Sequence, residues 1–151
     1  MLSDLAVNSF KYDNEKQFFE LLIEVPYIAS VNSMYGINRR TGAVYLLPEP
    51  RRMKEWVHEQ VTIVDPISHC PWLDYDSSYD ATYRFILKSE YWSRDLDNCI
   101  KMVQDGIFEC LHLNDSHICR LYGEKYLRSS SQNEHIIFKL QKNNFNYRAL
   151  E

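Results

Sequence analysis

Apolar and polar positions alternate or recur along the chain in a way that marks out strands and helices one after another. Residues 1–17 are polar and acidic and read as an N-terminal extension. Phe18 to Val25 (FFELLIEV) is rich in β-branched and aromatic residues and stops at Pro26, which predicts a first strand. Asn38-Arg39-Arg40-Thr41-Gly42 reads as a turn and Val44 to Leu47 as a short strand, together a β-hairpin arm with a basic tip. Pro48-Glu49-Pro50 then opens a helix, because proline is tolerated in a first turn whose N–H groups lack partners anyway. Met53, Trp56, Val57, Val61 and Val64 recur at helical spacing, and Asp65-Pro66 ends the run.

Residues 65–80 carry two prolines among aspartates and serines and read as a long loop. The segment 81–91 alternates as a strand, with Tyr83, Phe85 and Leu87 on one face and Arg84, Ile86 and Lys88 on the other. A second helix is predicted from Asp97 to Leu111, its apolar stripe formed by Ile100, Val103, Ile107 and Leu111 with Cys99 and Cys110 beside it. Ser116 to Tyr126 reads as a strand with Ile118, Arg120, Tyr122 and Glu124 on one face. A turn at 129–134 leads to a last strand, His135 to Leu140, and residues 141–151 form a polar tail. The order β-β-α-β-α-β-β predicts an α+β fold, a single domain with one mixed sheet of about five strands and two main helices.

Composition narrows this only a little. A chain of 151 residues with 45% hydrophobic residues has the length and the apolar content for one core. The net charge of −4 argues against a uniformly basic nucleic-acid-binding surface. Carboxylates whose charge a cation cancels would account for part of that balance. No apolar run is long enough for a membrane span, and the first residues lack the basic start and apolar stretch of a signal peptide, so a cytoplasmic protein is expected. Cys70, Cys99, Cys110 and Cys119 form no CxxC pair and are expected as free thiols.

The chemistry concentrates in Arg94-Asp95-Leu96-Asp97-Asn98 and the helix that follows. In an extended loop, residues i and i+2 point to the same side, so Asp95 and Asp97 can converge on one hard cation. Asp97 can also cap the helix, where the dipole favours an anion. Asp97, Lys101 and Asp105 recur every four residues along one polar edge, and Asp115 opens the next strand. Three carboxylates and a lysine around Mg2+ would make a phosphodiesterase site. The same residues have a plainer reading: a solvated helix start, an i,i+4 ion pair between Lys101 and Asp105, and a turn at Asp115.

The combination resembles the RusA-type Holliday junction resolvases. The motif is carried by Asp95, Asp97, Asn98, Lys101, Asp105, Asn114, Asp115 and Ile118. Upstream, Val25-Pro26, Ser30-Val31-Asn32, Tyr35, Arg39-Arg40-Thr41-Gly42 and Val44-Tyr45-Leu46 follow in the family's order. The similarity spans residues 18–140. It implies a homodimeric endonuclease, from a bacterium or phage, that binds four-way DNA junctions and nicks two strands of like polarity with Mg2+ or Mn2+. It assigns Asp95, Asp97 and Asp115 as metal-binding carboxylates and Lys101 as the catalytic lysine. Asn32, Arg39, Arg40 and Arg94 become DNA contacts, while Asn98, Asp105 and Asn114 support the site from behind. The chain departs from the family pattern at Asn114, where aspartate is frequent, in a shorter connection before Asp115, and in its acidity.

Other residues invite weaker readings. His112, His117 and Cys119 lack a fourth zinc ligand at the usual spacing. His69-Cys70-Pro71-Trp72 reads as a loop with a packed tryptophan rather than a nucleophile pair. Arg39, Arg40, Arg51, Arg52 and Lys54 are the densest basic cluster, either a solvated helix start or a phosphate-contacting arm. Tyr91 and Trp92 read as strand-end packing or as a wedge against bases.

Overall fold

Strict alternation of buried and half-exposed residues in three strands decides which face of the sheet meets the helices. The computed structural model describes residues 7–25, 28, 35–37, 39–46, 48–88, 94–127 and 133–144. In β2 (Phe18–Val25) the buried residues are Phe19, Leu21, Ile23 and Val25; in β5 (Ser78–Leu87) they are Tyr79, Ala81, Tyr83, Phe85 and Leu87. In β7 (Glu134–Asn143) Ile136, Phe138 and Leu140 complete the same face. With β1 (Val7–Asp13) and β6 (Ile118–Leu127) these strands form one mixed sheet in the order β1-β2-β7-β5-β6. A separate two-stranded hairpin joins β3 (Tyr35–Ile37) to β4 (Val44–Leu46). The fold is α+β, as the sequence predicts.

All pairings in the five-stranded sheet are antiparallel except β5 with β6. A parallel pair needs a crossover, and α3 (Leu96–Leu111) supplies it. Helix α1 runs Pro48–Val64, as expected, and α2 (Pro66–His69) is a single turn inside the segment read as a loop. Met53, Val57 and Val61 of α1 and the full predicted stripe of α3 enter the core under the sheet. The two helices lie close at Gly106, where an added Cβ would stand 3.3 Å from the Lys54 carbonyl oxygen and from Val57 Cγ1.

Several expectations change. Residues 7–13 form β1, which pairs with β2 and covers an edge that would otherwise be open. Within it Phe10 leans on the core beside Phe19 and His69. Strand β5 begins at Ser78, three residues before the predicted start, because Tyr79 is drawn into the core and its hydroxyl donates to the Asp74 carbonyl oxygen at 2.8 Å. Strand β7 continues to Asn143, into the predicted tail, held by its pairing with Ser78. A register shift near Cys119 pairs Ile118 with Tyr79 on the helix face while Arg120 pairs with Asp80, so Ile118 does not share a face with Arg120, Tyr122 and Glu124. Trp72 is buried as expected, its indole N–H donating to Asn14 Oδ1 at 3.0 Å, and burial pushes the Cys70 thiol up to about 11, which leaves it inert. Asn32, Tyr91 and Trp92 lie outside the described residues. The four cysteines are free, and no described helix is long and apolar enough to cross a membrane.

The correction with most consequence is Arg94. Expected on phosphate, it is buried and forms a two-pronged pair with the fully buried Glu134, Nη1 to Oε1 at 2.8 Å and Nη2 to Oε2. Glu134 also accepts the backbone N–H of Ile28 at 2.7 Å and of Lys88 at 2.9 Å, and Arg94 Nη1 donates to the Ile28 carbonyl oxygen. One carboxylate thus ties together the start of β7, the end of β5, the chain beyond β2 and the approach to α3. Glu134→Leu should cost about 3–5 kcal/mol by urea unfolding, since it removes the carboxylate that pairs a buried cation. Adding Arg94→Met should recover only part of that loss, because two backbone N–H groups still lack their acceptor.

Candidate active site

The motif sits where the chain passes from the Arg94 anchor into α3. Asp95 takes the N-cap position in extended conformation (φ −71°, ψ 136°) but makes no side-chain cap bond to the helix. Asn98 Nδ2 donates to Asp95 Oδ2 at 3.3 Å instead. Asp97 is already in the first helical turn, so it is not the cap, and the extended-loop argument that puts Asp95 and Asp97 on one side does not apply. Both are exposed at a helix N-terminus, where the backbone dipole favours negative charge.

After Leu111 the chain turns back along the helix. His112 has the left-handed conformation (φ 55°, ψ 36°), its N–H bonds to the Phe108 carbonyl oxygen, and Leu113 N–H bonds to the same oxygen at 3.1 Å. A short 3-10 turn over Asp115–His117 follows, with Asn114 as its cap. Asn114 Oδ1 accepts the Ser116 N–H at 2.9 Å, and His117 Nδ1 accepts the Asn114 N–H at 3.1 Å. Asn114 therefore shapes the turn that aims Asp115, which is what an asparagine at this position does well.

The turn delivers Asp115 to the middle of α3. Lys101 Nζ donates to Asp115 Oδ2 at 3.0 Å and to Asp105 Oδ1 at 3.1 Å. Gln104 Nε2 donates to Asp115 Oδ1 at 2.8 Å, and the Tyr83 hydroxyl donates to Gln104 Oε1 at 2.7 Å. A relay thus runs from the sheet core through Tyr83 and Gln104 to the Asp115 carboxylate. The motif therefore reaches Asp115 through Lys101, one helical turn on from Asp97.

Gln104 and Tyr83 are absent from the candidates the sequence offers. Gln104 lies beside Val103 on the core side of α3 and is buried, and a buried amide needs partners. That was its only signal. An open cleft of about 310 Å3 borders the relay, lined by Lys54, Asp105, Phe108, Glu109, Leu113, Asn114 and Asp115. A larger groove of about 400 Å3 lies between α1 and α3 around His58 and Glu59, away from the motif.

The hydrogen bonds set the charges. The Gln104 amide, and after it Lys101, holds Asp115 below the ordinary carboxylate range. The bonds to Asp115 and then Asp105 push Lys101 above the ordinary ammonium value, so it stays a cation at neutral pH. Burial pushes Tyr83 well above the ordinary phenol range, assisted by the charges of Asp115 and Asp105, and it remains a proton donor to Gln104.

The donor set Asp95, Asp97 and Asp115 offers only carboxylate oxygen, which suits a hard divalent cation such as Mg2+ or Mn2+. Among the described residues no three carboxylate, imidazole or thiol side chains are gathered closely enough to hold a metal ion. His117 is engaged with Asn114 and with the Tyr75 carbonyl oxygen, and Cys119 is exposed on β6. Of the expected DNA contacts, Arg39 and Arg40 are exposed at the tip of the β3–β4 hairpin, where Gly42 takes a positive φ of 74°. Arg51 and Arg52 are exposed on the first turns of α1.

Gln104→Leu should raise the Asp115 pKa toward the ordinary carboxylate value, and Lys101→Met should raise it less, as read by carboxyl 13C NMR titration. Because the folded value is depressed, Asp115 stabilises the protein above its unfolded pKa and loses that contribution as pH falls through the folded one. The acid limb of the stability profile should therefore flatten in Asp115→Asn. No protein-family model matches the chain, and no curated protein is a significant match to it.

Proposed function

We propose that this protein is a divalent-metal-dependent endodeoxyribonuclease that cuts branched DNA, the four-way junction above all, and acts as a homodimer in the cytoplasm of a bacterial or phage-infected cell. The observation that carries the reading is the convergence of Asp115 on Lys101, 3.0 Å apart, one turn along the helix that Asp95 and Asp97 begin. Residues joined only by motif order in the sequence meet in space.

Asp95, Asp97 and Asp115, which are not gathered closely enough in this structure to hold a metal ion, would have to draw together around the cation. When bound, it supplies an activated water and neutralises charge building on the phosphate. The chain's own groups do the rest. Lys101, cationic at neutral pH, offers an ammonium to a non-bridging phosphate oxygen. Gln104, backed by Tyr83, fixes the plane of the Asp115 carboxylate, so this ligand is oriented before substrate arrives. Asp105 shares Lys101 and keeps its side chain on the site's edge. Arg39 and Arg40 would contact backbone phosphates from the hairpin tip, and the acidity of the remaining surface keeps DNA confined to such patches. A two-fold dimer presents two such sites to a two-fold substrate.

The direct test is cleavage of a synthetic four-way junction with Mg2+. The wild type should nick paired strands, Asp97→Asn should abolish nicking while keeping junction binding, and Lys101→Met should slow it roughly 10²–10³-fold. Junction binding with no metal-dependent nicking would leave a DNA-binding protein of this fold. The absence of both binding and nicking would sink the reading. In gel-shift titrations, Arg39→Gln with Arg40→Gln should weaken junction binding and reduce its salt dependence by about two phosphate contacts.

A further inference from the structure

Among the described residues, strand β6 lies at one edge of the sheet, ten residues long and paired with β5 alone. Long exposed edge strands are open to pairing with another chain unless something covers or guards them. Here the guard is weak. Leu121, Tyr122, Tyr126 and Leu127 are each 50–55% exposed, whereas Ala81 and Leu87, the β5 partners of Leu121 and Leu127 on the helix face, are buried. The register shift near Cys119 disturbs only the first residues and leaves Arg120 to Leu127 regular.

The residue pattern along this edge is symmetric. On the face away from the helices, Arg120, Tyr122, Glu124 and Tyr126 follow in turn, and Tyr122 stands midway between a cation and an anion. We propose that β6 pairs antiparallel with the β6 of a second copy, about a two-fold axis through Tyr122. A two-fold normal to an antiparallel pair must pass through a residue, because directly opposed side chains share a face. Of the five positions from Arg120 to Glu124, an axis at Tyr122 alone sets Arg120 of each copy opposite Glu124 of the other. Axes at Arg120 or Glu124 would oppose like charges, which is unfavourable.

The geometry on both faces supports this register. Arg120 and Glu124 are already steadied at the edge by β5, Arg120 by Asp80 at 3.8 Å and Glu124 by Arg84 at 3.5 Å, and both stay half-exposed. On the helix face, Leu121 of one copy falls opposite Gly123 of the other. An added Cβ at Gly123 would stand 2.7 Å from Ile100 Cδ1 and 3.3 Å from Leu96 Cδ2, so the side chains of α3 already fill the space over that position. Leu121 of the second copy would pack beside these side chains, next to the partly exposed Leu96. An unrelated partner strand would have no need of this internal symmetry, whereas a second copy does. The seam also gives the homodimer of the proposed function a definite face, yet it is argued from the strand edge and stands or falls without the nuclease reading.

Sedimentation of the full chain tests the seam, alongside thiol cross-linking in a Cys119→Ser background. The chain should sediment as a dimer. Arg120→Glu should weaken the dimer roughly tenfold, and Arg120→Glu with Glu124→Arg should restore it. Tyr122→Cys should form an intermolecular disulfide with oxidised glutathione, since residues opposed on the axis have Cα atoms about 4.5–5.5 Å apart. Leu127→Cys, on the same edge but about 30 Å from its counterpart, should not cross-link. Cross-linking at Tyr122 requires no charge change, so it decides the matter even if Arg120→Glu unfolds. A monomer at all concentrations, or a dimer indifferent to the charge swap that fails to cross-link through Tyr122→Cys, overturns the proposal. Junction nicking by a chain that fails these tests would leave the nuclease reading intact and remove only the seam.

Discussion

The buried pair between Arg94 and Glu134 is the constraint on which the arrangement of the site depends. A carboxylate this buried is tolerable only with its hydrogen-bonding capacity filled, and Glu134 has two guanidinium contacts and two backbone N–H donors. Arg94 directly precedes Asp95, so the clasp sets where the motif begins. The Arg94 carbonyl oxygen is held in turn by Lys125 Nζ of β6 at 2.9 Å. The start of α3 is therefore fastened to β5, β6 and β7 at once, and Asp95 and Asp97 inherit that rigidity.

The second support comes from within the core. Tyr83 is fully buried in β5, yet its hydroxyl reaches Gln104, which reaches Asp115. A residue chosen for packing also orients a surface carboxylate. The clasp fixes one end of the candidate site and the Tyr83–Gln104 relay fixes the other, while Lys101 lies between them. Both supports use buried polar groups, the kind of interaction that costs little when fully satisfied and much when one partner is lost.

The extents of α1 and α3 were legible because their apolar residues recur at helical spacing over four turns, β2 because of its β-branched and aromatic composition, and the inward face of β5 because its residues alternate. β1 was not legible, since its strand character comes from pairing with β2 and its composition is that of a polar tail. The motif named Asp95, Asp97, Lys101 and Asp115 from order alone, but order says nothing of who touches whom. Arg94 looked like the other basic residues near the motif. Only the remote Glu134, 40 positions on, turns it inward, and no local pattern announces a partner at that separation. Gln104 was hidden for the opposite reason: its partners are close in space, but it sits inside an apolar stripe where polarity passes for noise.

Strand β7 holds the middle of the sheet although it comes last among the described strands in chain order. Its neighbours β2 and β5 are paired through it and are not paired with each other. During synthesis the earlier strands can form local units, the β1–β2 hairpin and the β5-α3-β6 crossover, but these stay separate until Glu134 to Asn143 emerges and slots between them. The same insertion brings Glu134 to Arg94. Closure of the sheet and anchoring of the candidate site are thus one late event, and a chain released before that strand would carry every residue of the motif without the anchor beneath it.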